Sequence, residues 1–143
     1  MTAVVSPDTD AFTRALTSRP LSSPASPTIL IADEHDEVRQ VIEYKLQVAG
    51  FRTLTANNGG ATLTIAADRR PRAIILDECM SCLDGRSVCR ELHARPATAE
   101  IPILMLSESG RPDHGLPADE LTVPCRQTEV LQRLSGLLLA GSR

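Results

Sequence analysis

Ala73-Ile74-Ile75-Leu76-Asp77 is the stretch whose reading decides the fold. Four apolar residues follow Pro71 and Arg72 and end abruptly in a carboxylate. A short continuous apolar run of this kind reads as a parallel strand buried on both faces. Such a strand rejects a charge in its middle, and here the charge stands at the C-terminal end. Ligands of open parallel α/β sheets bind along that edge, so Asp77 is expected to be a site residue.

The same pattern recurs on either side. Thr28-Ile29-Leu30-Ile31-Ala32 runs into Asp33-Glu34-His35-Asp36-Glu37, with four carboxylates in five residues. Ile101-Pro102-Ile103-Leu104-Met105-Leu106 stops at Ser107. Phe51 to Ala56 alternates, and Glu120 to Val123 is a short last strand. Val38, Val41, Ile42, Leu46 and Ala49 recur at helical spacing, and Gly50 closes that helix. After an Asn57-Asn58-Gly59-Gly60 turn, Ala61 to Arg70 is a weaker helix on Leu63, Ala66 and Ala67. An Asp84-Gly85 turn leads to a helix over Arg86 to Arg95, with Val88 and Leu92 inward and Pro96 as its stop. Gln127 to Ala140 carries Val130, Leu131, Leu134, Leu137 and Leu138 on a core stripe, with Leu139 off it.

Strands that alternate with helices specify a doubly wound α/β fold, here a five-stranded parallel sheet with right-handed crossovers. The fourth helix is expected to be lost or reduced to loop. Gly110, Pro112, Gly115 and Pro117 leave Glu108 to Ala118 no room for more than one helical turn. Residues 1–27, rich in Ser, Thr and Pro, read as a flexible N-terminal tail, and residues 28–140 as the folded domain.

The composition is that of one soluble domain: 143 residues, 42% hydrophobic and 23% charged. One Tyr, two Phe and no Trp imply an aliphatic core. A net charge of -3 argues against a nucleic-acid partner. No apolar run reaches membrane-spanning length, and the N-terminus is not a secretory signal. A cytoplasmic location is expected, with the four cysteines as thiols. If the first and third strands are neighbours, Asp33, Glu34 and Asp77 converge at one sheet edge. Like charges so close repel unless a cation joins them, and an all-oxygen cluster with room for water suits Mg²⁺.

These segments together resemble a response-regulator receiver domain. The likeness rests on Ile29-Leu30-Ile31-Ala32-Asp33-Glu34, Ile74-Ile75-Leu76-Asp77 with Leu83-Asp84-Gly85, and Ile101-Pro102-Ile103-Leu104-Met105-Leu106-Ser107. It implies a flavodoxin-like receiver fold acting in two-component phosphorelay signalling. It implies Asp77 as phospho-acceptor from a histidine kinase or phosphotransfer protein. It also implies Mg²⁺ on Asp33, Glu34, Asp77 and the backbone carbonyl of Cys79, with Ser107 bonding the phosphoryl oxygens. No enzyme activity is implied. A single-domain regulator acting on an unknown downstream protein, with homodimerisation open to it, is the expected form.

The chain departs from the family pattern in four places. Val123 stands where a Lys precedes the Pro after the fifth strand, and Glu120 where a switch aromatic is expected. Glu108 replaces a small residue after Ser107, and Glu34 replaces the second Asp. A pseudo-receiver, a phosphorylation-independent interaction or scaffold module, therefore stands as the alternative. Cys79-Met80-Ser81-Cys82 with Cys125 raises zinc ligation or redox chemistry, against which small-residue filling in a reducing cytosol is preferred. A phosphatase of the haloacid-dehalogenase type needs an Asp where Cys79 stands. A dinucleotide-binding turn needs glycines where Asp33-Glu34-His35 stands.

Overall fold

The computed structural model describes residues 26–107, 118–122 and 127–141. Five strands form one sheet: β1 (Thr28–Ala32), β2 (Arg52–Ala56), β3 (Ala73–Asp77), β4 (Ile103–Ser107) and β5 (Asp119–Thr122). All pairs are parallel, in the order β2-β1-β3-β4-β5. This is the flavodoxin-like order, whose switch point and ligand crevice lie between β1 and β3. Four helices are present among the described residues: α1 (Asp36–Val48), α2 (Gly59–Arg69), α3 (Gly85–Ala94) and α4 (Gln127–Gly141). Residues 108–117, where the fourth helix of the family pattern is expected to be missing, lie outside the described residues, as does the N-terminal tail up to residue 25.

Strand alternation divides the apolar runs between two cores. Ile29, Ile31, Ala73, Ile75, Leu104 and Leu106 pack with Ile42 and Leu46 of α1 and Val130, Leu131 and Leu134 of α4. Leu30, Ala32, Ile74, Leu76, Ile103 and Met105 pack with Ala66 of α2 and Val88, Cys89 and Leu92 of α3. Both faces of β1, β3 and β4 are thus covered, which is why these strands read as unbroken apolar runs.

One helix differs from its expected face. Ile42, Leu46 and Ala49 are buried, whereas Val38 and Val41 are 43% and 44% exposed, beside exposed Tyr44 and Val48. The apolar residues of α1 form two stripes, and only one meets the sheet. Gly50, at φ 100, follows the end of α1 in the left-handed region, as a helix-closing glycine should.

The glycines ahead of α2 and α3 lie one step inside the helices rather than in turns. Asn58 and Asp84 are the N-caps, accepting from Ala61 N–H at 2.8 Å and Ser87 N–H at 2.9 Å. Gly85 sits where a Cβ would come within 2.2 Å of the Asp77 carbonyl oxygen, so α3 starts directly against the end of β3. Gly136, on α4, has open space around the same position. Gly85→Ala is expected to destabilise the fold by about 1–3 kcal/mol through overpacking. Gly136→Ala is expected to stabilise it by about 0.5–1 kcal/mol through helix propensity. Urea denaturation midpoints check both; midpoints moving in the same direction would contradict this packing.

Candidate functional site

Asp33 extends β1 by one residue, its N–H donating to the Ala56 carbonyl at 3.1 Å. Asp77 is the last residue of β3. Their side chains are 5% and 10% exposed, so both carboxylates sit at the switch-point edge nearly out of water. Buried charge is costly unless donors or cations face it. The local backbone supplies donors. His35 N–H donates to Asp33 Oδ1 at 2.8 Å, and Cys79 N–H donates to Asp77 Oδ1 at 3.1 Å. Arg39 Nη1 donates to the Asp33 carbonyl at 2.9 Å and pins the turn into α1.

His35 joins the two acids. Its Nδ1 lies 3.1 Å from Asp33 Oδ1 and 3.9 Å from Asp77 Oδ2. Ligand atoms of Asp33, His35 and Asp77 all fall within 4.8 Å of one another. The ring is otherwise exposed, yet its pKa is raised above the ordinary 6.5. The hydrogen bond to Asp33 is the main cause, followed by the charge of Asp33 and then by those of Asp77 and Glu34, with burial opposing. A protonated His35 is therefore an internal cation bridging the acid pair.

Glu34 is not part of this group. Its carboxylate accepts from Ser81 N–H at 3.2 Å and from Ser81 Oγ–H at 2.9 Å, tying β1 to the loop after β3. The three-carboxylate convergence expected from the sequence is thus two carboxylates and an imidazole. Glu is long enough to pass the acid pair and reach that loop.

Ser107 ends β4 and is 1% exposed. Its hydroxyl donates to Glu78 Oε1 at 2.8 Å, and Glu78 Oε2 accepts from Arg86 Nε at 2.7 Å. Sequence reasoning passed over Glu78 and Arg86. The strand alternation carries the signal: Glu78 continues the face of Ile74 and Leu76, and Ser107 that of Ile103 and Met105. Cys79 and Cys82 are exposed and Cys89 is buried. Among the described residues, the group able to hold a metal contains no cysteine. Glu108, Val123 and Cys125 lie outside the described residues, and Glu120 falls within β5.

The sequence pattern of the response regulator receiver domain matches residues 29–120. The chain belongs to the response regulator receiver domain family. The phosphate regulon transcriptional regulatory protein PhoB of Pseudomonas aeruginosa is 32% identical over 117 residues, covering 78% of this chain and 51% of that protein. The transcriptional regulatory protein PrrA of Mycobacterium tuberculosis is 35% identical over 119 residues, covering 79% and 50%. This receiver domain thus spans about half the length of these curated relatives. Among solved structures, the receiver domain of a signal transduction histidine kinase from Syntrophus aciditrophicus superposes with a TM-score of 0.76 at 25% identity, covering 82% of this chain and 94% of that one. The receiver domain of a sensor histidine kinase from Pseudomonas aeruginosa has a TM-score of 0.72 at 26% identity, covering 80% and 98%, and holds a magnesium ion in its active-site cleft. Among the described residues, no helix of this receiver domain is long and apolar enough to cross a membrane.

The donor chemistry at the switch point fits such an ion. Two nearly buried carboxylates facing one crevice are oxygen donors of the kind a hard divalent cation takes, with water filling the remaining positions. A cation held by Asp33 would compete with His35 for that carboxylate. A raised folded-state pKa means that His35 adds stability which is fully present below its unfolded pKa near 6.5 and is lost as pH rises through the folded value. NMR titration of the His35 ring is expected to give a pKa above 6.5 without metal, and a lower one with saturating Mg²⁺. A ring pKa at or below 6.5 in metal-free protein would contradict the bridge.

Proposed function

We propose that this receiver domain accepts a phosphoryl group on Asp77 from a histidine kinase or phosphotransfer protein, and that it acts in the cytoplasm through protein contacts. The observation that carries this reading is the pair of nearly buried carboxylates, Asp33 and Asp77, whose ligand atoms lie within 4.8 Å of one another at the β1/β3 edge. Strand-end acids kept from water without such a partner would be a stability cost with no return.

In this reading Asp33, Asp77 and the backbone carbonyl of Cys79 would hold Mg²⁺, with Glu34 joining on leaving Ser81. Such an ion would supply neutralising charge between a carboxylate and a phosphoryl dianion. An Asp77 oxygen forms the bond to phosphorus. The donor's bond to phosphorus breaks, and its electron pair leaves with the donor nitrogen. Cys79 N–H, already on Asp77 Oδ1, fixes the carboxylate's orientation. The Ser107 hydroxyl bonds a phosphoryl oxygen and so reports the modification. The exposed apolar stripe of Val38, Val41, Tyr44 and Val48 on α1 supports a protein-contact mode, whether with a partner or a second copy.

A second reading, the phosphorylation-independent scaffold, is favoured by one observation: the Ser107 hydroxyl already donates to Glu78. Val123, in place of the family's Lys, leans the same way. Intact-mass spectrometry after incubation with acetyl phosphate and Mg²⁺ separates the two. Wild type is expected to gain one phosphoryl group, and Asp77→Asn none above background. A wild-type protein that gains none would overturn the proposal in favour of the scaffold, and an Asp77→Asn variant that gains as much would overturn Asp77 as the acceptor.

A further inference from the structure

Ser107 is held by a built bracket. Glu78 backbone N–H donates to the Leu106 carbonyl at 2.9 Å, and its carbonyl accepts from Gly85 N–H at 3.0 Å. Its main chain is thereby fixed to β4 on one side and to the start of α3 on the other. Its side chain is 14% exposed and paired with Arg86, itself 19% exposed. An ion pair so shielded from solvent holds its geometry better than a surface pair. One oxygen of that fixed carboxylate accepts from the Ser107 hydroxyl at 2.8 Å. An O–H donor on a carboxylate is a charge-assisted bond, about twice as strong as a neutral one. A serine hydroxyl has one proton to donate, so it cannot donate to Glu78 and to a phosphoryl oxygen at once.

We propose that Glu78, clamped by Arg86, is a positioning residue that holds the Ser107 hydroxyl in a resting state, so that a phosphoryl group on Asp77 engages Ser107 only by displacing an internal carboxylate. This rests on the reading of Asp77 as phospho-acceptor. It adds a threshold to that reading: part of the phosphoryl group's interaction is spent on exchange. The acid that follows the acceptor in sequence is thus a competitor of the signal, set by the alternation that puts Glu78 and Ser107 on one face.

The test uses beryllofluoride with Mg²⁺ as the phosphoryl mimic, followed by amide NMR at Ser107 in the full chain. Glu78→Ala is expected to lower the half-saturating concentration about tenfold relative to wild type, the scale of one charge-assisted hydrogen bond. Glu78→Gln, which keeps an acceptor but loses the charge, is expected to fall between them. In a Ser107→Ala background the Glu78→Ala gain should vanish. Equal half-saturation in wild type and Glu78→Ala overturns the inference while leaving Asp77 as acceptor. A response in wild type that survives Asp77→Asn overturns the acceptor reading itself. A response that appears only in Glu78→Ala is the inference in its strongest form. If no variant responds, a double-mutant cycle of Glu78→Ala and Ser107→Ala in urea unfolding decides the bracket. The single losses should fail to add by about tenfold in the unfolding constant, and additive losses overturn it.

Discussion

Two carboxylates brought to one edge of a buried sheet constrain everything else in this molecule. Asp33 follows β1 and Asp77 ends β3, strands buried throughout except at Thr28, so neither can retreat into solvent without unravelling β1 or β3. Their desolvation has to be offset locally. Backbone N–H groups of His35 and Cys79, the His35 ring and an Arg39 tether behind Asp33 all serve that need. Gly85 lets α3 begin in contact with the end of β3, which keeps the loop carrying Cys79 close to Asp77. The site is a direct product of where the sheet places its strand ends.

The fold was legible because the strands are buried on both faces. Ala73 to Leu76 and Ile29 to Ala32 have no polar position to blur the pattern, and the alternating elements specify a parallel sheet whose strand order the structure supplies. The site was legible in part. Asp33 and Asp77 follow buried runs, and that position alone marks them. Glu34 bonds Ser81 rather than facing the acid pair, because sequence adjacency says nothing about which way a side chain leaves a turn. Asp33 binds the His35 N–H, so the ring folds back over the acids while Glu34 extends to Ser81. Val38 and Val41 share helical spacing with Ile42 and Leu46 yet are exposed, because that spacing identifies a stripe without saying which of two adjacent stripes meets the sheet.

Membership of the receiver family gives this arrangement its meaning, and the departures give it its character. The acid pair is kept at the switch point, and a related receiver domain holds magnesium in its active-site cleft. Around it, His35 brings a titratable cation and Glu78 brings a carboxylate onto the hydroxyl at the end of β4. Both act on the same balance of charge. One adds a positive group to an acidic crevice, and the other places a negative group where a phosphoryl oxygen would bond.

If Asp33 and Asp77 together make a cation site at the β1/β3 edge, Mn²⁺, a paramagnetic cation suited to the same oxygen donors, reveals it through the broadening of amide resonances. Saturable broadening is expected, centred on residues 33–35 and 77–79, reversed by excess Mg²⁺ and lost when both acids are replaced in Asp33→Asn/Asp77→Asn. Broadening scattered over surface carboxylates, or unchanged in the double variant, would contradict it.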